Sequence, residues 1–372
     1  MQLIIPGLQA MIAFQCMLFA LYLIHDRKLA VTANRINLAL LLVLATHMVF
    51  NLVNQQLMPG RLPELTFGFG MFYGPLIFLY VRSLIYKDFA WNALHWAHFL
   101  PGIMLWLVPF WQQPSTLFCA SLIFSTMGFY LALSYLSLWR FQRVVLHTQS
   151  ATESIAMKWV SKVLLLNASC LLFNIVSLNR NAITNVGHYS IGSSDMLGEW
   201  AEISIFLTLL IMVNAFIFKG LLQPTLFAGI TPEDEAITQQ IISVQPIAEI
   251  DSERQQQIKQ ALLSHMRLNK PFLEPLFSLQ SLGRQLGEPP RYISQVINGH
   301  LQMNFSDFVN SYRINEVKHH LQDPLERRTI LDIIYACGFS TKSNFNRAFK
   351  LHEGITPSEY RRSKHQIGDV AD

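Results

Sequence analysis

The sequence predicts an all-α chain in two parts: a bundle of seven membrane-crossing helices, then a smaller polar domain of two helical hairpins joined by a long helix. Three observations carry that expectation. Of 372 residues, 51% are hydrophobic and only 14% charged, with a mean hydropathy of +0.30, which is too apolar for a soluble two-domain protein of this length. Charge is spread unevenly, because residues 254–365 hold 16 Lys and Arg against 9 Asp and Glu in a chain of net charge +4. Within that basic region, glycine interrupts helical periodicity twice in the same way. The expected boundaries are 1–220 for the membrane domain, 221–250 for a linker, 251–365 for the basic domain and 366–372 for a tail.

Leu3 to Ile24 has about the apolar length needed to cross a bilayer and ends in His25-Asp26-Arg27-Lys28. A cleaved signal peptide competes, but the run lacks a basic start and a small-residue cleavage site, so it reads as a retained first span. The same length rule places further spans at 36–57, 65–86, 97–111, 116–139, 159–178 and 200–218. The fourth of the seven is short and interrupted by Pro101 and Pro109. Without it, both chain ends would share a side. Loop charge decides between the options. With seven spans and the N-terminus outside, the inner side receives Arg27, Lys28, Arg35, Lys87, Arg140, Arg143, Lys158 and Lys219, and the outer side only Arg61 and Arg180. That asymmetry marks the cytoplasmic face and puts the C-terminal domain there.

Polar residues within the spans form stripes. His47, Asn51 and Asn54 share one side of the second span, Asn167, Cys170, Asn174 and Ser177 one side of the sixth, and Glu199 and Glu202 begin the seventh. These stripes either fix helix packing through hydrogen bonds or line a ligand pocket built from His47, Asn51, Asn54, Asn167, Asn174 and Glu202. Arg82 reads as a snorkelling anchor, and His95 and His98, beside Trp91 and Trp96, as part of an interfacial belt. The outer loop Asn179 to Glu199 is either a connector or a lid. The stretch 224–250, with Pro224, Pro232, Pro246 and the acidic run Glu233-Asp234-Glu235, reads as a spacer that keeps the basic domain off anionic headgroups. Cys16, Cys119, Cys170 and Cys337 have neither zinc nor disulfide spacing. No carboxylate pair, nucleophile with its base, or phosphate-binding loop stands out. The reading is a non-enzyme with no cofactor and no metal.

In the basic domain, Ile258, Ala261, Leu262 and Met266 set the packed face of a helix from Ser252 to Met266. Leu279, Leu282 and Leu286 then form a stripe that Gly287 breaks, and Pro290 starts a helix buried through Ile293, Val296 and Ile297. Arg291, Ser294 and Gln295 lie on its other side. A connecting helix from Asn304 to Leu321 carries Phe305, Phe308, Val309, Tyr312, Val317 and Leu321 at helical spacing. The plan then repeats. Ile330, Ile333 and Ile334 stripe a short helix, Gly338 takes the C-terminal cap, and Thr341 caps a helix buried through Phe345, Ala348 and Phe349. Lys342, Ser343, Asn346 and Arg347 are left outside. Gly354 closes that helix, and Thr356-Pro357-Ser358-Glu359 opens another with a capping box. Helix, tight turn, and helix with a polar outer face is the helix-turn-helix pattern.

Pro271 to Arg362 resembles the DNA-binding domain of AraC-type (AraC/XylS) transcription regulators, most specifically at Gly338-Phe339, Phe345, Arg347, Phe349-Lys350, Gly354, Thr356-Pro357 and Tyr360-Arg361. The resemblance implies two recognition helices in successive major-groove segments of double-stranded DNA. The base-reading candidates it marks are Arg291, Ser294 and Gln295 in the first unit and Lys342, Ser343, Asn346 and Arg347 in the second. Two positions depart from the family pattern: Pro289 stands where a capping Ser or Thr is usual, and Ile334 where Ala is usual. The basic surplus suits phosphate neutralisation. The expectation is a regulator in the bacterial inner membrane, with promoter DNA and the lipid bilayer as partners. A homodimer on paired half-sites and a small-molecule or membrane-protein signal complete it. The alternative from another class is a transporter or membrane enzyme with a DNA-binding appendage, against which stand the few ionisable residues and the lack of an inverted repeat. A third reading makes the membrane part an anchor that senses nothing.

Overall fold

The computed structural model describes residues 4–25, 32–57, 66–107, 115–150, 158–184, 196–222, 230–242, 251–323 and 325–368. Among the described residues there are fifteen α-helices and no strand. Two compact units divide the chain: Met1–Leu138 with Lys158–Phe227, and Trp139–Met157 with Ala228–Asp372.

The first unit contains α1 (Ile4–His25), α2 (Thr32–Leu52) with a π-helical turn Val53–Leu57, α3 (Thr66–Ile85), a 3-10 helix Ala93–Phe99 running into α4 (Leu100–Leu107), most of α5 (Thr116–Thr148), α6 (Lys158–Thr184) and α7 (Met196–Leu222). Five helical stretches are long and apolar enough to cross a membrane: Ile4–His25, Thr32–Gln56, Thr66–Ile85, Leu117–Thr148 and Trp159–Leu178. A shorter apolar stretch, Trp200–Ala215, lies in α7. α1 and α6 present exposed Phe14, Leu18, Leu21, Leu165, Leu172 and Val176, a surface that lipid tails would cover. α3 is the enclosed one, with Leu76, Leu79, Val81 and Ile85 all buried.

The structure departs from the sequence expectation in this unit at α4. Asn92 and His95 form a reciprocal cap, with His95 N donating to Asn92 Oδ1 at 3.2 Å and Asn92 N to His95 Nδ1 at 3.1 Å. The cap starts a 3-10 helix that runs directly into the eight described residues of α4, the two together rising about 26 Å. Trp106 anchors α4 edge-on to Phe69 of α3 at 5.0 Å. Among the described residues, then, the fourth candidate is a 3-10 helix running into α4 and packed on α3. Residues 108–114, with Pro109, lie outside the described residues. The loop assigned to 179–199 is helical at both ends, since α6 runs to Thr184 and α7 starts at Met196; residues 185–195 lie outside the description.

The second unit begins with the end of α5, which continues nine residues beyond the expected stop at 139. It then holds α8 (Pro232–Ile242), α9 (Ser252–Asn269), a 3-10 turn Pro271–Leu273, α10 (Leu279–Leu286), α11 (Pro290–His300), α12 (Phe305–Gln322), α13 (Ile330–Ala336), α14 (Lys342–Glu353) and α15 (Pro357–Gly368). Two cores form. One gathers Ile258, Leu262, Met266, Leu279, Leu282, Ile293, Val296 and Ile297 with Phe305, Phe308 and Val309 from the start of α12. The other gathers Ile314, Val317 and Leu321 from the rest of α12 with Ile333, Ile334, Phe339, Phe345, Phe349 and Tyr360. The stripes read from spacing are therefore mostly the buried ones: Leu286, Tyr312 and Ile330 are half-buried at the core edges, and Ala261 is exposed because α9 packs through the i, i+4 row 258, 262 and 266.

α8 corrects the expectation of a plain spacer over 224–250. Pro232 takes the first helical position, where its missing N–H costs nothing. Thr231 N donates to Asp234 Oδ2 at 2.9 Å while Asp234 N donates to Thr231 Oγ1 at 3.3 Å, the reciprocal arrangement that starts a helix.

Gly338 has φ +86° and ends the first helix of the second hairpin; a Cβ there would sit 2.5 Å from the Phe272 carbonyl oxygen and 2.7 Å from that of Leu273. Gly354, at φ +74°, has nothing within 4 Å of an added Cβ. Gly338→Ala is therefore expected to destabilise the second unit by at least ~2 kcal/mol, from strain plus overpacking. Gly354→Ala should cost only about 1 kcal/mol, for the left-handed backbone alone. Denaturant unfolding of the detergent-solubilised chain, read by protease resistance of the C-terminal unit, checks the difference.

Candidate nucleic-acid interface

Thr341 starts α14 by accepting a hydrogen bond from Asn344 N at 3.2 Å. Its inner side is locked by aromatic contacts: Phe345 lies 5.2 Å from both Phe339 and Phe349, and Phe349 lies edge-on to Tyr360 at 5.5 Å. With that side fixed, Lys342, Ser343, Asn346 and Arg347 are all exposed together on the opposite side. Arg347 borders a groove shared with Leu146, Met303 and Asp307. Behind α14, α15 is held by Thr356 N and Oγ1 donating to Glu359 Oε2 at 2.8 and 2.7 Å. Those two bonds keep the Glu359 carboxyl below the usual carboxylate range.

α11 has the same position in its hairpin and a different surface. It starts on Pro289 and Pro290 without any side-chain cap, as the departure at Pro289 implies. Ser294 is only 2% exposed, which corrects its placement on an open face. Arg291 is half-buried, with its guanidinium carbon 4.6 Å from the Tyr292 ring centroid and Nη2 donating to Tyr292 Oη at 2.9 Å. Gln295 is also half-buried, and Arg291 Nε and Gln295 Oε1 are buried without partners.

Sequence reasoning missed Arg313, which positions the two hairpins. It is fully buried on α12. Its Nε donates to the Phe272 carbonyl at 2.7 Å, and Nη2 donates to the Glu274 carbonyl at 2.7 Å and to Ser150 Oγ at 3.1 Å. The guanidinium also lies 5.8 Å from the Phe339 ring centroid. Burial pulls it down to about 10, so it is still a cation at neutral pH. The available signal was a charge at position 313, four residues from both Val309 and Val317 in an apolar stripe. Beside it, Lys318 pairs with Glu353 at 2.8 Å, tying α12 to α14.

The six candidate pocket residues of the membrane unit fall into separate sets. His47 Nδ1 is 2.5 Å from Tyr73 Oη, and Asn51 Oδ1 accepts from Thr66 Oγ1 at 2.8 Å, so both engage α3. Asn54 sits in the π turn with a buried, unpartnered Oδ1. Asn167 donates to the Val163 carbonyl of its own helix at 2.9 Å. Asn174 reaches Ser204 Oγ of α7 at 3.3 Å, and Glu202 is half-buried on α7. These bonds are those of helix packing. His95 and His98 stand 6.5 Å apart by ring centroid. Among the described residues, no group of three or more His, Cys, Asp or Glu is placed to hold a metal ion.

Residues 282–363 match the family model described as a helix-turn-helix domain, and this C-terminal region is an AraC-type helix-turn-helix domain. The chain is 32% identical over 94 residues to YtdP of Bacillus subtilis (strain 168), titled an uncharacterized HTH-type transcriptional regulator. It is 30% identical over 103 residues to the HTH-type transcriptional regulator GlxA of Rhizobium meliloti (strain 1021). These matches take in 25% and 27% of this chain and only 12% and 31% of those relatives. A solved structure from Listeria innocua, titled as of unknown function, is 30% identical over 28% of this chain and 95% of its own, with a TM-score of 0.25.

Arg313→Met is expected to leave the Phe272 and Glu274 carbonyls without a donor and to cost about 2–4 kcal/mol. Arg313→Lys keeps the charge but lacks the planar fork that serves three acceptors, so it recovers little. Urea unfolding of both variants in the full chain, with circular dichroism for retained helix, measures this.

Proposed function

We propose that this chain is a transcription regulator embedded in the bacterial inner membrane, whose cytoplasmic AraC-type domain reads DNA under the influence of the membrane unit. The observation that carries the reading is the exposed set Lys342, Ser343, Asn346 and Arg347 on α14, opposite a locked aromatic core. Arg can read guanine through O6 and N7, Asn can pair with adenine, and Lys can neutralise phosphate. α11 and α14 each follow a glycine turn, at Gly287 and Gly338. With α12 between them they act as two recognition helices on one face of a duplex. Regulators titled as such among the relatives support this reading.

The membrane topology rests on loop charge. Five long spans and the apolar stretch of α7 make six crossings, and the excess of Lys and Arg on one side requires an odd number. Ala93 to Leu107 supplies the seventh as a thin crossing packed on α3, about 26 Å long by helical rise. The N-terminus is then outside and the DNA reader inside. A small molecule or membrane protein engaging the helix bundle is the signal, and two copies bind paired half-sites.

Arg347→Ala should weaken sequence-specific DNA binding by ~1–3 kcal/mol while leaving membrane insertion unchanged. Genome-wide occupancy of membrane-bound parent and variant tests this; equal occupancy of the same promoters would remove Arg347 from the reading set.

A further inference from the structure

We infer that α8 is a built-in cover for the first recognition helix, closing the DNA-reading face of α11 until it is displaced. The inference rests on the reading of α11 as a DNA-contacting helix and adds how that contact is controlled.

The geometry of α11 points to a cover. Ile293, Val296 and Ile297 face the core formed with α9, α10 and α12. At about 100° per residue, Arg291 and Gln295 lie roughly 150° or more from the centre of that stripe, and Ser294 flanks it. A helix packed on one side only would leave the far side to solvent. Yet Arg291 Nε and Gln295 Oε1 on that side are buried, and Ser294 is closed. Among the described elements, α8 also packs against α11.

α8 has the surface of a docked helix. Asp234 and Thr238 are buried and Ile237 packs against the first core, at i, i+3 and i+4 on one face. Glu233, Ala236 and Gln239 point outward. Asp234 Oδ1 accepts from Gln280 Nε2 of α10 at 3.1 Å, which latches α8 to the hairpin. The closed arrangement carries a polar deficit, because the Nε donor of Arg291 and the Oε1 acceptor of Gln295 find no partner beneath it. Base edges and phosphates supply what is missing, so DNA and α8 compete for one face. Along the chain, α8 follows α7, which makes it the element through which a change in the last membrane helix reaches α11.

The test uses the full chain in lipid nanodiscs and reads maleimide labelling of Gln295→Cys against Ser343→Cys on the open α14, with the parent as background. Gln295→Cys is expected to label about tenfold or more slowly than Ser343→Cys, as a site exposed only by local opening. Adding Ile237→Asn, or the milder Asp234→Ala, should speed Gln295→Cys and leave Ser343→Cys unchanged. In chains without either cysteine, the same two substitutions should tighten binding of a mixed-sequence duplex several-fold, because the competent fraction rises. Equal labelling of the two cysteines in the otherwise unaltered chain overturns the cover, as does a Gln295→Cys rate that neither substitution changes. Faster labelling with unchanged duplex affinity overturns its control of binding. If labelling behaves as expected while no form of the chain binds any duplex, the cover stands and the DNA-reading assignment fails.

Discussion

One helix belongs to both cores of the C-terminal unit, and a buried guanidinium sits where it passes from one to the other. Phe305, Phe308 and Val309 of α12 serve the first core, and Ile314, Val317 and Leu321 the second. Arg313 lies between these sets. A charge with no exposed surface depends on the partners its donors find: Nε and Nη2 meet two carbonyls of the 272–274 turn and Ser150, while Nη1 is buried without one. The same turn crowds Gly338. The second hairpin is thus pressed on the backbone that precedes the first, and the spacing between α11 and α14 follows from that contact.

Arg313 also binds the segment that follows α5. Ser150 N donates to the Phe277 carbonyl at 3.1 Å, and Gln149 bridges Ser278. The last residues of a helix that begins among the apolar helices therefore end as part of the C-terminal unit. Two places on the hairpins accordingly receive chain from outside the AraC-type region: the 277–278 edge from α5, and α11 from α8. A helix-turn-helix domain held at both places is suited to control by its neighbours in the chain, whereas α14 keeps its polar side exposed.

Much of the C-terminal fold was legible because its signals are local. Glycines at positive φ, the Thr341 and Thr356 caps, and apolar residues at three- and four-residue spacing each act within one turn of helix, so the sequence alone placed α10 to α15. Long apolar runs likewise revealed the five helices long and apolar enough to cross a membrane. What escaped depends on distant partners. Arg313 looks like any surface arginine until the 272–274 carbonyls are set beside it, and Ser294 looks exposed until the helices around α11 are in place. α8 itself was hidden by its prolines and acids, although Pro232 sits where a helix accepts it. α5 outran its expected end because Arg140 and Arg143 suit helix as well as any apolar residue.

The central claim is that a membrane-held chain reads DNA through two helices at a fixed spacing. Selection of duplexes from a random library by the full chain in lipid nanodiscs tests it most directly. The account predicts recovered sequences that share two blocks of defined bases centred about 10 base pairs apart, one helical turn of DNA. A recovered pool no richer in any sequence than one passed over empty nanodiscs would contradict it.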